Sequence, residues 1–440
     1  MTKPKIKRVY FVGAGFSAPL GFPVGASLPV ETICRLRGLR AHSVVHGRGL
    51  YNSLRDTEKK RHLCDVVLLR IERFLCDFFG HKIDLRKATR QKIEDVFKQI
   101  SVGEFYTVMH ALSDMPGLFR NDRTEDAQQP NEIKNTEQQS GQSSNGELPF
   151  AASLYEVFSA VTRSFFIDIS DTNPPKKDMK SLVESLIPNQ QAIVSFNWDT
   201  ELDYLLSIRS ERKGETFEFV YTAQSTEPET LTILKPHGSI DWYDIKQGVF
   251  NNDRYFIADD DRRITLDECK LMAFFANELP VNIYEDQHSA FKCAPAITPP
   301  TFSKRFEYTE QHLIWHDVIQ VCTDANEFVF LGYSLPPDDF LTRAALRSSF
   351  SEKSSKERQD VRCLVVSRGQ LPEARRRLNK GTKNNGKSTK NLTDTTLASY
   401  RSVFGNKITQ EMNWLNWEFG KTRGPLVEKI NEMIQGAACL

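Results

Sequence analysis

The chain has 440 residues, 40% of them hydrophobic and 26% charged, with 58 Lys plus Arg set against 57 Asp plus Glu. At roughly 150 residues per domain this allows two or three domains with ample apolar surface for a core. A net charge of +1 excludes a global field that steers the chain toward nucleic acid or anionic lipid, and the composition excludes a collagen, a disordered tail and a supercharged nucleic-acid binder.

In chain order, four basic residues (Lys3, Lys5, Lys7, Arg8) precede an uncharged run from Val9 to Val30, a layout that mimics a signal peptide. Seven of those 22 residues are Gly or Pro, so no continuous apolar helix forms there, and the expectation is a cytoplasmic protein without a membrane partner. Within the run, Val9-Tyr10-Phe11-Val12 ends directly in Gly13-Ala14-Gly15, the pattern of a buried strand feeding a glycine turn. Between residues 55 and 115 the spacing turns helical: Val67, Ile71, Phe74, Leu75 and Phe78 share one face, as do Ile93, Val96, Phe97 and Ile100. From Asn121 to Glu147 the only apolar side chains are Ala127 and Ile133, too little burial to offset the entropy of ordering, which predicts a disordered loop over about 121–147. Helical spacing resumes with Leu154, Val157, Phe158, Val161 and Phe165.

After Pro188 short apolar runs recur at Ala192–Val194, Phe217–Tyr221, Leu231–Leu234, Phe328–Leu331 and Cys363–Val366, several followed by helical stretches. The fold class is therefore α/β: a Rossmann-like, mostly parallel sheet flanked by helices and formed by 1–30 and 189–380, with a helical insertion at 31–188. Lys380–Asn391 reads as a polar linker, and 393–440 as a C-terminal helical segment carrying Leu426, Ile430, Met433 and Ile434 on one face. The eight cysteines are scattered without a Cys-x-x-Cys pair, which suits reduced thiols and argues against a disulfide framework or a four-cysteine zinc site.

Strand, Gly13-Ala14-Gly15-Phe16-Ser17-Ala18, then a helix-compatible stretch is the layout of a dinucleotide-binding turn, whose glycines let backbone N–H groups approach a pyrophosphate. A tight turn without a ligand fits the same letters. The longer string is more specific: Gly21-Phe22-Pro23 follows at a fixed distance, and then in order come Ser195-Phe196-Asn197-Trp198-Asp199, Lys235-Pro236-His237-Gly238-Ser239 and Gly332-Tyr333-Ser334-Leu335. Together these resemble the sirtuin superfamily, with its Gly-Ala-Gly-x-Ser, Gly-x-Pro, Gln-Asn-x-Asp, His-Gly and Gly-Thr-Ser segments. The resemblance covers about residues 5–30 and 190–370. It is greater to the sirtuin-like domains of bacterial anti-phage systems than to protein deacylases: Val24-Gly25-Ala26 stands where deacylases carry Asp-Phe-Arg, Phe196 replaces Gln, and Cys269, Cys293 and Cys322 offer no paired zinc ligands.

The resemblance implies an NAD⁺ hydrolase that takes NAD as substrate, without a metal, and acts in defence by depleting it, restrained by self-assembly into a homo-oligomer or by a partner such as an ATPase or sensor. Cleaving the nicotinamide–ribose bond passes through a sugar cation and releases a neutral leaving group, so the site needs orientation, a water and a proton acceptor rather than a strong acid. Asn197 fits the first need, because its amide both donates and accepts. His237 fits the last, since imidazole takes a proton near neutral pH. The resemblance assigns Ser17 to phosphate or ribose, Asp199 to the cofactor amide or the Asn197 turn, Gly13, Ala14 and Gly15 to the pyrophosphate, and Gly332 and Ser334 to the adenosine half. Structural roles stand beside these: Asn197 or Asp199 as a helix N-cap ahead of Thr200–Leu206, His237 as a turn residue, and Gly332 and Ser334 as ordinary loop. A non-catalytic NAD or ADP-ribose sensor uses the same turn, and a protein deacylase is the third reading.

Two other features are set aside. His312 and His316 lie one helical turn apart without the following Glu or a third ligand that a zinc site requires. From Thr342 to Lys390, 14 basic residues face four acidic ones, which suits a solvated face more than nucleic acid.

Overall fold

The computed structural model describes residues 6–41, 57–113, 172–211, 218–220, 229–243, 295–297, 309–336, 339–367, 392–411, 413–417 and 426–436, with further helical positions between 158 and 170. The expected loop at 121–147 and the linker Lys380–Asn391 lie outside the described residues, as does most of the basic stretch beyond 367.

Seven strands form one parallel sheet: β1 (Arg8–Val12), β2 (Gln191–Ser195), β3 (Glu218–Val220), β4 (Thr230–Leu234), β7 (Glu327–Leu331), β8 (Arg362–Ser367) and β9 (Asn413–Asn416), in the order β3-β4-β2-β1-β7-β8-β9. A separate antiparallel pair joins β5 (Gly238–Tyr243) to β6 (Pro295–Ile297). Strands β1, β2 and β4 are buried at every position, which is why they read as continuous apolar runs rather than alternating ones: helices cover both faces of a parallel sheet. Each of the five apolar runs marked in the sequence overlaps a strand of this sheet. The α/β class and the Rossmann-like sheet are thus as expected.

The register is uniform about β1, where Phe11 lies between Val194 on one side and Phe330 on the other. Successive strands are added outward from β1 first through β2 and later through β7, so the order reverses between β1 and β7. That reversal opens the crevice at the carboxyl ends of the strands where α/β proteins place ligands.

Two details differ from the sequence reading. The stretch after the glycine turn is a single helical turn, α1 (Ala14–Ser17), followed by a 3₁₀ turn Ala18–Leu20 that Gly21 ends in the left-handed conformation. Pro19 sits within that turn and lacks the N–H that a continuing helix needs. The first long helix, α2 (Leu28–Ala41), begins only later. The C-terminal segment is also not purely helical. Between α11 (Leu392–Glu411) and α12 (Leu426–Gly436), Asn413–Asn416 adds the edge strand β9.

The helices α3 (Thr57–Phe79), α4 (Arg90–Phe97) and α5 (Val102–Ser113) meet around Phe105, whose ring contacts Phe74, Phe97, Tyr106 and Phe158 with centroids 5.0–5.8 Å apart. These residues belong to the same buried cluster as the sheet. Helix α6 (Lys177–Ser185) precedes β2, α7 (Glu201–Ser210) follows it, and α8 (Thr309–Asp324), α9 (Phe340–Glu352) and α10 (Ser355–Gln359) flank β7 and β8. No helix among the described residues is long and apolar enough to cross a membrane. Arg8 ties the sheet to its last helix, donating to Glu327 of β7 and to Asn431 of α12, both at 2.7 Å.

At the reversal, the end of β7 and the glycine turn touch backbone to backbone. Gly332 has φ of +61°, and a Cβ there would stand 2.3 Å from the Phe16 nitrogen. Gly332→Ala is therefore expected to lower stability by more than about 2 kcal/mol, since left-handed strain and a backbone clash act together. Chemical denaturation of both proteins measures this, and equal midpoints would mean the two segments separate at little cost.

Candidate functional site

The glycine turn, the end of β2 and the end of β4 converge at the carboxyl edge of the sheet. Ser17, the last residue of α1, is buried there, and the Asn197 side-chain amide donates to its hydroxyl at 2.9 Å. The same hydroxyl faces the Asp199 carboxyl. Ser17 thus links the turn after β1 to both polar residues of the loop after β2, although 180 positions separate it from Asn197.

Asp199 divides its roles. It accepts a 3.3 Å bond from the Glu201 N–H, so it serves the start of α7 as the capping alternative foresaw, while Thr200 holds the N-cap position without a side-chain bond. Asn197 does not cap; it is committed to Ser17. Burial pushes the Asp199 carboxyl up, against the pull of the Lys235 charge and the Ser17 hydroxyl. Glu201, also buried, is raised to about 7, chiefly by desolvation, with the Ser170 hydroxyl opposing and the charges of Asp199 and Asp203 adding to the rise.

Lys235 holds this acidic loop together. Its side chain is fully buried, and the ammonium donates to the Asp199 carbonyl at 2.8 Å, the Asp203 carboxylate at 3.0 Å and the Ser239 hydroxyl at 2.8 Å. An ammonium has three donors, and all three are used. The clamp spans the loop that carries Asn197 and the turn that carries His237. The Ile240 N–H to Trp198 carbonyl bond, 3.0 Å, closes the same gap.

His237 is buried at the turn between β4 and β5. Its Nε2 lies 3.6 Å from an Asp339 carboxylate oxygen, and its ring lies 5.0 Å from Phe196 and 6.2 Å from Trp315. Phe196, which stands where the sirtuin pattern has Gln, is stacked on Tyr333 at 4.3 Å and lies beside the His237 ring.

The glycines have a packing role of their own. Gly13 donates its N–H to the Leu331 carbonyl and Gly15 to the Gly332 carbonyl, each at 3.0 Å. A Cβ at either position would meet Tyr333 or Gly332 at 2.8 Å. Both glycines are required by the approach of β7, and these two N–H groups are already bonded. Ala14 opens α1, where a helix start leaves N–H groups without an intrahelical acceptor. Gly332 packs on Gly15 and Phe16, whereas Ser334 is exposed and stands apart from the buried polar cluster. His312 and His316 are exposed on α8, His316 beside Asp317.

Sequence reasoning missed Lys235, Asp203, Glu201 and Asp339. A signal existed for two of them. Lys235 is a charge directly ending an apolar strand, and Asp339 follows Pro336-Pro337 at the start of a helix, a position that suits an N-cap. No protein-family model matches the chain, and no curated protein matches it.

Two measurements probe the clamp. Lys235→Met removes the cation and leaves a carboxylate facing an apolar group, with an expected loss of about 3 kcal/mol in denaturant unfolding. Glu201→Gln acts in the opposite sense. Because the folded carboxyl titrates near 7 and the unfolded one near 4.5, the native state binds the extra proton, and wild-type stability falls as pH rises through that window. The Gln variant is expected to melt above wild type at pH 8 and to converge with it below about pH 4.5; parallel melting curves at all pH values would contradict the assignment.

Proposed function

We propose that the chain is a sirtuin-like NAD⁺ hydrolase that cleaves the nicotinamide–ribose bond to give nicotinamide and ADP-ribose. The observation that carries this reading is the convergence of three motif segments at the carboxyl edge of the sheet: Ser17 bonded to Asn197, and the His237 ring 5.0 Å from Phe196, the residue before Asn197. An amide beside a hydroxyl suits the ribose or an attacking water, and a buried imidazole supplies the proton acceptor. As the glycosidic bond lengthens, positive charge grows on the ribose. Nicotinamide leaves with the bonding electron pair, which neutralises its ring. Water adds to the sugar carbon, and its proton passes to His237.

Since the Gly13 and Gly15 N–H groups are bonded to Leu331 and Gly332, and the Ser17 hydroxyl donates to Asp199, the pyrophosphate falls to another donor of this edge, the Ala14 N–H foremost. Depletion of NAD⁺ in anti-phage defence, with restraint by self-assembly or a partner protein, is the role the resemblance attaches to such an enzyme.

The test is a proton NMR time course of NAD⁺ with the purified chain beside Asn197→Ala and His237→Ala. Free nicotinamide is expected with wild type, and at least a hundredfold more slowly with either variant. Broadening of NAD⁺ signals without cleavage would support the sensor reading instead, and wild-type rates in both variants would refute these roles.

A further inference from the structure

We propose that Asp339 is the carboxylate partner of His237: it orients the imidazole and stabilises its protonated form. The consequence for turnover rests on the hydrolase reading above; the pairing itself does not.

Asp339 is the N-cap of α9, and one of its oxygens does what a cap does, accepting from the Thr342 N–H at 3.4 Å. The other oxygen has no part in capping. It takes a 2.5 Å bond from the Tyr333 hydroxyl and faces His237 Nε2 at 3.6 Å. Tyr333 is itself fixed twice, by stacking on Phe196 and by the Tyr400 hydroxyl, which donates to its carbonyl at 2.8 Å. The segment that delivers Asp339 is held in an unfavourable shape: Leu335 is fully buried with φ of +50°, a region that side-chain-bearing residues seldom occupy. Strain of this kind persists only where the surroundings over-determine it. The result is a buried carboxylate, bonded on two sides and aimed at an imidazole.

A carboxylate at Nε2 favours the neutral ring that carries its proton there, which makes Nδ1 the basic nitrogen. When Nδ1 takes a proton from water or from a ribose hydroxyl, the resulting imidazolium faces an ionised Asp339. The carboxylate keeps its charge and accepts no proton. Asp339 is accordingly a positioning residue, acting through His237.

Asp339→Asn removes the charge and keeps the cap: its single amide oxygen accepts from the Thr342 N–H, and its NH2 takes the place of the other oxygen and donates to the Tyr333 hydroxyl. The other ionisable groups nearby are unchanged in the variant. Tyr333 is held neutral, since burial pushes its phenol well above the ordinary value, while Lys235 is bonded to Asp203 and Asp199 keeps its place in the loop after β2. Two readouts are used. The His237 ring signals, assigned by their loss in His237→Gln, are titrated by NMR without NAD⁺, and the midpoint is expected to fall by about one pH unit in Asp339→Asn. Turnover of NAD⁺ at saturation is expected to fall at least tenfold with KM little changed and the thermal midpoint preserved.

An unchanged imidazole midpoint would overturn the pairing. A lowered midpoint with wild-type kcat would overturn the positioning role. A lowered midpoint in a protein whose wild type cleaves no NAD⁺ would uphold the pair and reject the hydrolase reading, so the two failures are told apart.

Discussion

Everything at the carboxyl edge of the sheet depends on how closely two pieces of backbone approach one another. Gly13 and Gly15 lie against Tyr333 and Gly332 so tightly that a methyl group on either turn would overlap its neighbour. This contact brings β1 and β7 together at the point where the strand order reverses. It also seats Ser17 against Asn197 and lays Tyr333 over Phe196. From there the chain after β7 runs on to Asp339, within reach of His237. Side chains from three distant stretches of sequence are gathered around this close approach of the chain.

The cluster built on that contact has an unusual electrical balance. One buried ammonium, Lys235, serves a loop with three carboxyls, Asp199, Glu201 and Asp203. Two of those carboxyls are shifted upward by burial, and the third is bonded to the lysine. A buried ion pair is weak evidence for stability, because desolvation offsets much of the attraction. Geometry is what the lysine supplies: it joins the Asn197 loop to the His237 turn with three bonds of 3.0 Å or less.

The sheet was legible because a parallel strand buried on both faces leaves a plain mark, a run such as Phe328–Leu331 or Cys363–Val366. Strand β9 was hidden, since its four residues Asn413–Asn416 have polar ends and sit at an edge. The glycine turn was legible as a turn, but one physical reason for its glycines was not. The letters that suggest a phosphate cradle are also demanded by the segment after β7, and its contacts through Gly332 and Tyr333 come from tertiary structure. Ser17 and Asn197 were chosen one by one, whereas their mutual bond is a matter of tertiary structure. Asp339 carried a signal for the end of a helix, which explains one of its oxygens; the second oxygen's partners come from 100 residues away and from the loop after β7.

The edge position of β9 bears on how the C-terminal segment is to be regarded. Its residues Trp414 and Leu415 pair with Val365 and Val366 of β8, a strand whose central positions are wholly buried. Without the segment from 412 onward, β8 would become the outermost strand and offer a flat row of unpaired amides on an apolar ribbon. Such an edge invites pairing with other chains. With the segment in place the outermost strand is instead a short one with polar ends, Asn413–Asn416, a less inviting edge for other chains.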